Sequence, residues 1–162
     1  MKTIALTIAS IVFLMAGTAN ADFTSSLYLG GTYPGGILIT EGGNPVSTSG
    51  GPISPSTLGG VSLEYVYCID LYTNVVVPNT YNNSIVTNNG VIYNNNNPIT
   101  IDNASQIAFL LNAYGATTNP VAQIALQVAI WHEEYLNSPS QYVVNLASNA
   151  PPAQVADYNN YL

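Results

Sequence analysis

The stretch from Asn119 to Leu136 constrains this chain more than any other. Asn119-Pro120 has the form of a helix start, with Asn119 as cap and Pro120 at the first helical position, where its missing N–H costs nothing. Val121, Ile124, Ala125, Val128, Trp131, His132 and Tyr135 then make one wide face, yet Leu126, Ala129 and Ile130 fall outside it. A helix that is apolar nearly all round has no face to give to water and must be buried. In its middle stands Gln127. A buried carboxamide is costly unless its hydrogen bonds are met, so this position asks for a partner.

The candidate partner lies some sixty residues earlier, in Glu64-Tyr65-Val66-Tyr67-Cys68-Ile69-Asp70-Leu71-Tyr72, which holds the chain's single cysteine. Leu63, Tyr65, Tyr67 and Ile69 alternate with Glu64, Val66, Cys68 and Asp70, a period of two in β-favouring residues that predicts a strand over Val61–Tyr72. Such a strand puts Cys68 on the face opposite the tyrosines. Packed against the border of the buried helix, between Ile124 and Trp131, it would bring thiol and carboxamide together.

Around these two segments the chain reads as strands first and helices after. Leu27–Leu29 and Ile37–Thr40 are short strands separated by a turn at Pro34-Gly35-Gly36, and residues 41–60 read as a long surface loop rich in glycine and proline. Val75–Val77 continues the β-rich region. Ile85–Thr87 and Val91–Tyr93 flank Asn88-Asn89-Gly90 and predict a hairpin. Asn94–Asn97 is a polar tip before a last strand at Ile99–Ile101. Asn103-Ala104-Ser105-Gln106 has the form of a capping box, opening a helix that Gly115 stops. Tyr142–Val144 is a short extended piece, and Pro151–Tyr161 a third helix. The expected fold is α+β: an N-terminal antiparallel sheet, sandwich or barrel-like, over 22–101, followed by a small helical subdomain over 102–162.

Residues 1–21 are expected to lie outside that single domain. Lys2, the apolar run Ile4–Ala16 and the small-residue site Ala19-Asn20-Ala21 make a secretory signal peptide, too short for a membrane span. Export to the cell surface or beyond follows. Lys2 is the only Lys or Arg in the chain, against eight acidic residues. A mature domain without one basic side chain excludes nucleic acid and anionic membrane surfaces as partners, since both require cations. A lone cysteine in an exported chain cannot form an internal disulfide, which leaves a reactive group, an intermolecular link or a buried side chain.

Two segments, Tyr67-Cys68-Ile69-Asp70 and Gln127-Val128-Ala129-Ile130-Trp131, resemble in residues and order those of the bacterial surface thioester domains. The resemblance spans residues 61–136, about half of the mature domain. It implies an intramolecular thioester between Cys68 and Gln127, in a pocket supported by Tyr67, Asp70, Ile124 and Trp131. It also implies an adhesion domain that covalently captures an amine-bearing surface molecule, in a single turnover rather than by catalysis, with no cofactor and no metal. One departure is Leu126, where many members of the family carry Thr or Ser, so no hydroxyl is available there. The lack of lysine gains a meaning in this setting, because the mature chain offers no ε-amine to consume its own thioester.

Two other readings use the same residues. In one, Cys68 is an inert core residue of a noncovalent glycan- or protein-binding subunit, or of a filament; loops such as Tyr81-Asn82-Asn83 and Tyr93-Asn94-Asn95 suit such contacts. In the other, Cys68 and the sole histidine, His132, form a hydrolase pair oriented by Asp70, Glu133 or Asn112. No cluster has metal-ligand spacing, and no phosphate-binding glycine loop is present.

Overall fold

The computed structural model describes residues 19–25, 36–46, 48–72, 75–87, 90–94, 97–138 and 141–162. Its spine is helix α2 (Pro120–Tyr135), whose residues 122–131 are all buried. Asn119 caps it as expected, its side chain accepting from Val121 N at 3.0 Å, with Pro120 in the first turn. Three elements pack on this spine: α1 (Ala104–Tyr114), strand β9 (Tyr142–Leu146) and α3 (Pro152–Tyr161). The all-round apolar character of the 120–136 run is thereby explained, since α2 meets a different neighbour on each side.

The strands form three antiparallel sheets. In the four-stranded one, β1 (Ala19–Ser25) lies between β4 (Ser56–Leu58) and β6 (Asn79–Val86), and β5 (Val61–Leu63) extends it beyond β4. In the three-stranded one, β2 (Ile37–Glu41) lies between β3 (Asn44–Val46) and β9. The third is the hairpin of β7 (Val91–Asn94) and β8 (Asn97–Thr100). The fold is α+β, with strands mostly first and helices after, although β9 falls between α2 and α3. Among the described residues no helix is long and apolar enough to cross a membrane.

Several local expectations change. The Leu27–Leu29 strand and Asn88-Asn89 lie outside the described residues, as does the expected leader up to residue 18, while Ala19–Ala21 pair with Ser84–Val86 of β6. Residues 41–60 are not one loop. Gly42 and Gly43, at φ +55° and +83°, close the tight turn between β2 and β3, a conformation that matches the twist of paired strands. Beyond it, residues 50–53 are buried. The described strands on either side of Asn88–Gly90 pair elsewhere, β6 with β1 and β7 with β8, rather than with each other. Val75 and Val76 are exposed and outside any strand, held instead by the Tyr81 hydroxyl, which accepts from Val76 N at 2.7 Å and donates to its carbonyl at 3.0 Å. Asn103 does not cap α1. It sits at φ +48°, in the left-handed region that asparagine tolerates, and its amide donates to the Glu133 carbonyl at 3.0 Å, tying α1 to α2.

The strand expected over Val61–Tyr72 ends at Leu63. Only Val66 makes a further bridge, to Ile53. From Tyr67 onward the chain leaves the sheet and runs along α2, where side chains replace a neighbouring strand as hydrogen-bond partners. Leu71 N donates to the Tyr135 hydroxyl at 3.0 Å, and Tyr72 N to Asp70 Oδ1 at 2.6 Å.

Candidate functional site

Gln127 is wholly buried, and its carboxamide has one partner residue, Cys68. Gln127 Oε1 accepts from Cys68 N at 3.2 Å, and Gln127 Nε2 donates to Cys68 O at 2.6 Å. The side-chain amide thus takes the place of a strand on both main-chain groups of the cysteine. This two-point contact satisfies the buried amide and the Cys68 backbone at once. It also holds the carboxamide carbon against the residue that carries the thiol.

The carboxamide side of the site is shielded from water, while Cys68 itself is partly exposed. Ile124 and Trp131, one turn before and one turn after Gln127, are both buried, as is Tyr67. The segment Gly50–Ile53 forms a cover, anchored by Ile53 N donating to Val66 O at 2.8 Å and Ser54 Oγ to Glu64 O at 2.7 Å. Gly50 is a glycine for want of space. A Cβ there would stand 2.7 Å from Ile37 Cδ1 and 3.0 Å from both Gln127 Cγ and Trp131 Cζ3. Gly50→Ala is therefore expected to cost about 1–3 kcal/mol in unfolding free energy and to displace the carboxamide; urea titration measures the first, and the yield of any Cys68–Gln127 bond the second.

Burial, and then the Asp70 carboxylate, push the Cys68 thiol up to about 11. The thiol is therefore protonated at neutral pH and a poor nucleophile until its proton is removed. The supporting residues divide by role. Tyr67 belongs to the same buried core as Trp131, and its hydroxyl donates to the Gly115 carbonyl at 3.4 Å. Asp70 acts on Cys68 through its charge and on the chain through Tyr72 N. The Trp131 indole N–H is buried with no partner among the described residues.

The rival residues are employed elsewhere. Gln123 Nε2 donates to Thr117 O at 2.7 Å. His132 lies about 140° around α2 from Gln127, with Nδ1 at 3.1 Å from the Val144 carbonyl and 3.0 Å from the Tyr158 hydroxyl. Its ring faces β9 and α3, so it does not pair with Cys68 as a hydrolase would require. Among the described residues no group of three or more His, Cys, Asp or Glu could hold a metal ion.

Sequence reasoning singled out Cys68 and Gln127 but missed Gly50. A glycine in a glycine-rich stretch gives no sign that it is buried; the signal available was Pro52-Ile53, an apolar pair interrupting an otherwise polar run. No protein-family model matches this chain, and no curated protein or solved structure matches it.

Proposed function

We propose that this is an exported, adhesion-type domain in which Cys68 and Gln127 join as an internal thioester that captures a primary amine. The observation that carries this reading is the two-point hydrogen bonding between the Gln127 carboxamide and the Cys68 main chain. The similarity of the two segments to surface thioester domains points the same way.

The chemistry follows from the contacts. The Cys68 thiol loses its proton, and Sγ attacks the Gln127 carboxamide carbon. The negative charge that develops on Oε1 falls where Cys68 N already donates, the arrangement that stabilises a tetrahedral oxyanion. Nε2 takes a proton and leaves as ammonia, so one C–N bond is exchanged for one C–S bond. Amides resist thiols in solution, and holding the carboxamide on the main chain of the thiol-bearing residue raises the effective concentration of one group for the other. An amine on a target then attacks the same carbon, forming an amide to Gln127 and returning the Cys68 thiol.

Intact mass tests the reading. The protein should be lighter than its sequence by one ammonia, and Cys68→Ala or Gln127→Ala should each restore the full mass. Methylamine should add to the light form and free a titratable thiol. A full-mass protein with a reactive thiol from the outset overturns the proposal.

The rate of bond formation should depend on pH in a defined direction. With the thiol raised to about 11, the thiolate fraction at neutral pH is small and grows about tenfold per pH unit until that value. Ammonia release from freshly folded protein should rise accordingly between pH 7 and 10. Asp70→Asn keeps an acceptor for Tyr72 N but removes the charge beside the thiol, and should accelerate formation at neutral pH. The same shift makes the free-thiol protein less stable as pH rises from about 9 through 11, because ionisation is easier in the unfolded chain; the thioester form has no thiol to ionise.

A further inference from the structure

Toward the C-terminal end of α2 a cavity of about 260 Å³ opens between that helix, β8 and the start of α1. Its walls include the rings of Tyr72 and Tyr135, which meet edge to face with centroids 6.1 Å apart. Its polar lining includes Glu134, Asp102 and Ser138. Glu134 is only 7 % exposed, and its Oε2 is buried with no hydrogen-bond partner among the described residues. Asp102 accepts only weakly nearby, from Ser138 Oγ at 3.3 Å.

A buried carboxylate oxygen without a partner calls for either a proton or a cation. Burial, then the charges of Asp102 and Asp70, push Glu134 up to about 7, with the Asp102 backbone amide pulling the other way. Among the described residues there is no Lys or Arg to supply the cation, the chain's one such residue being Lys2, and the single histidine is bound to Val144 and Tyr158. A metal ion fits poorly, because no third carboxylate, His or Cys joins the group among the described residues. The cavity is also far larger than an ion. A lining that holds two carboxylates and two tyrosine rings suits a charged nitrogen on a short alkyl stem, held by hydrogen bonds and by attraction to the rings.

We infer that the cavity lined by Tyr72, Tyr135, Asp102 and Glu134 is a binding site for a protonated alkylamine, as a free molecule or as a lysine side chain of a partner. The site stands seven residues beyond Gln127 on nearly the same face of α2, about 10 Å along the helix. It is independent of the thioester.

The test uses the full chain carrying Cys68→Ala, which cannot form a thioester, so that failure here and failure of the thioester reading are separate results. n-Butylammonium is titrated while the backbone amide resonances of Leu71 and Asp102 are followed. A saturable shift is expected, weakened at least tenfold by Glu134→Gln and again by Asp102→Asn, with neutral n-butanol producing none. A Gly-Lys-Gly peptide, blocked at its N-terminus, tells the two sources apart: tighter binding than n-butylammonium marks a partner lysine, and weaker binding a free amine. Absence of saturation, equal binding by n-butanol, or undiminished binding in both folded variants would overturn the inference. If Glu134→Gln fails to fold, Asp102→Asn alone decides.

Discussion

Replacing Gln127 by alanine in a Cys68→Ala background is expected to lower the unfolding free energy by roughly 3–6 kcal/mol. The background matters, because no thioester can form in it while the residue 68 main chain keeps both of its groups. The loss has two parts. Cys68 N and O each lose the partner held at 3.2 and 2.6 Å; a buried group left unpaired costs about 1–3 kcal/mol, and the partly exposed Cys68 falls at the low end of that range. Removing the side chain also leaves a void beneath Gly50, beside Trp131, where nothing is free to collapse into it. Against a typical total of about 5–15 kcal/mol, the change is large. Urea titration should show a lower midpoint with an unchanged slope. A loss under 1 kcal/mol would mean that the carboxamide contacts contribute little to the fold.

Opening the thioester with methylamine is expected to cost about 4 kcal/mol of stability, or roughly a 10 °C fall in Tm. Cys68 and Gln127 are 59 positions apart, and the proposed bond would close a loop that contains β6, β7, β8, α1 and the first half of α2. A covalent closure of that length removes conformational freedom from the unfolded chain, which is the source of the stabilisation. The methylamine product regains an N–H for the Cys68 carbonyl, so the measured loss is the contribution of the covalent link less that of one hydrogen bond. Calorimetry of the same preparation before and after treatment measures it, and coincident transitions would show that no link was opened.

What could be read in the sequence, and what could not, follows from where each partner lies. Helix α2 was legible because its cap, its proline and its all-round apolar character are local. So were β2, β7, α1 and α3. The course of Tyr67–Tyr72 was not, since the alternation that marks a strand persists while the partners are side chains of α2. A pattern of alternating residues reports an extended chain, without saying what accepts its hydrogen bonds. The Asn88–Gly90 hairpin failed for a related reason. The β6 strand finds its partner in β1, sixty residues earlier, a pairing that no short window contains. For the site, the need of a buried amide for a partner could be argued from Gln127 alone. The means by which Cys68 meets that need, through its main chain, required the coordinates.

The Cys68 carbonyl distinguishes the products that different nucleophiles would leave on opening the proposed thioester. It accepts from Gln127 Nε2 at 2.6 Å, and ammonia release takes that donor away. A primary amine that opens the bond leaves an N–H on the new amide and returns a donor to the carbonyl. Water leaves a carboxylate, and then two acceptors face one another in the interior with no proton between them. A secondary amine leaves a tertiary amide, which has no N–H to give. In the proposed chemistry that main-chain oxygen would be best satisfied by the product of a primary amine, and less well by those of a secondary amine or of water.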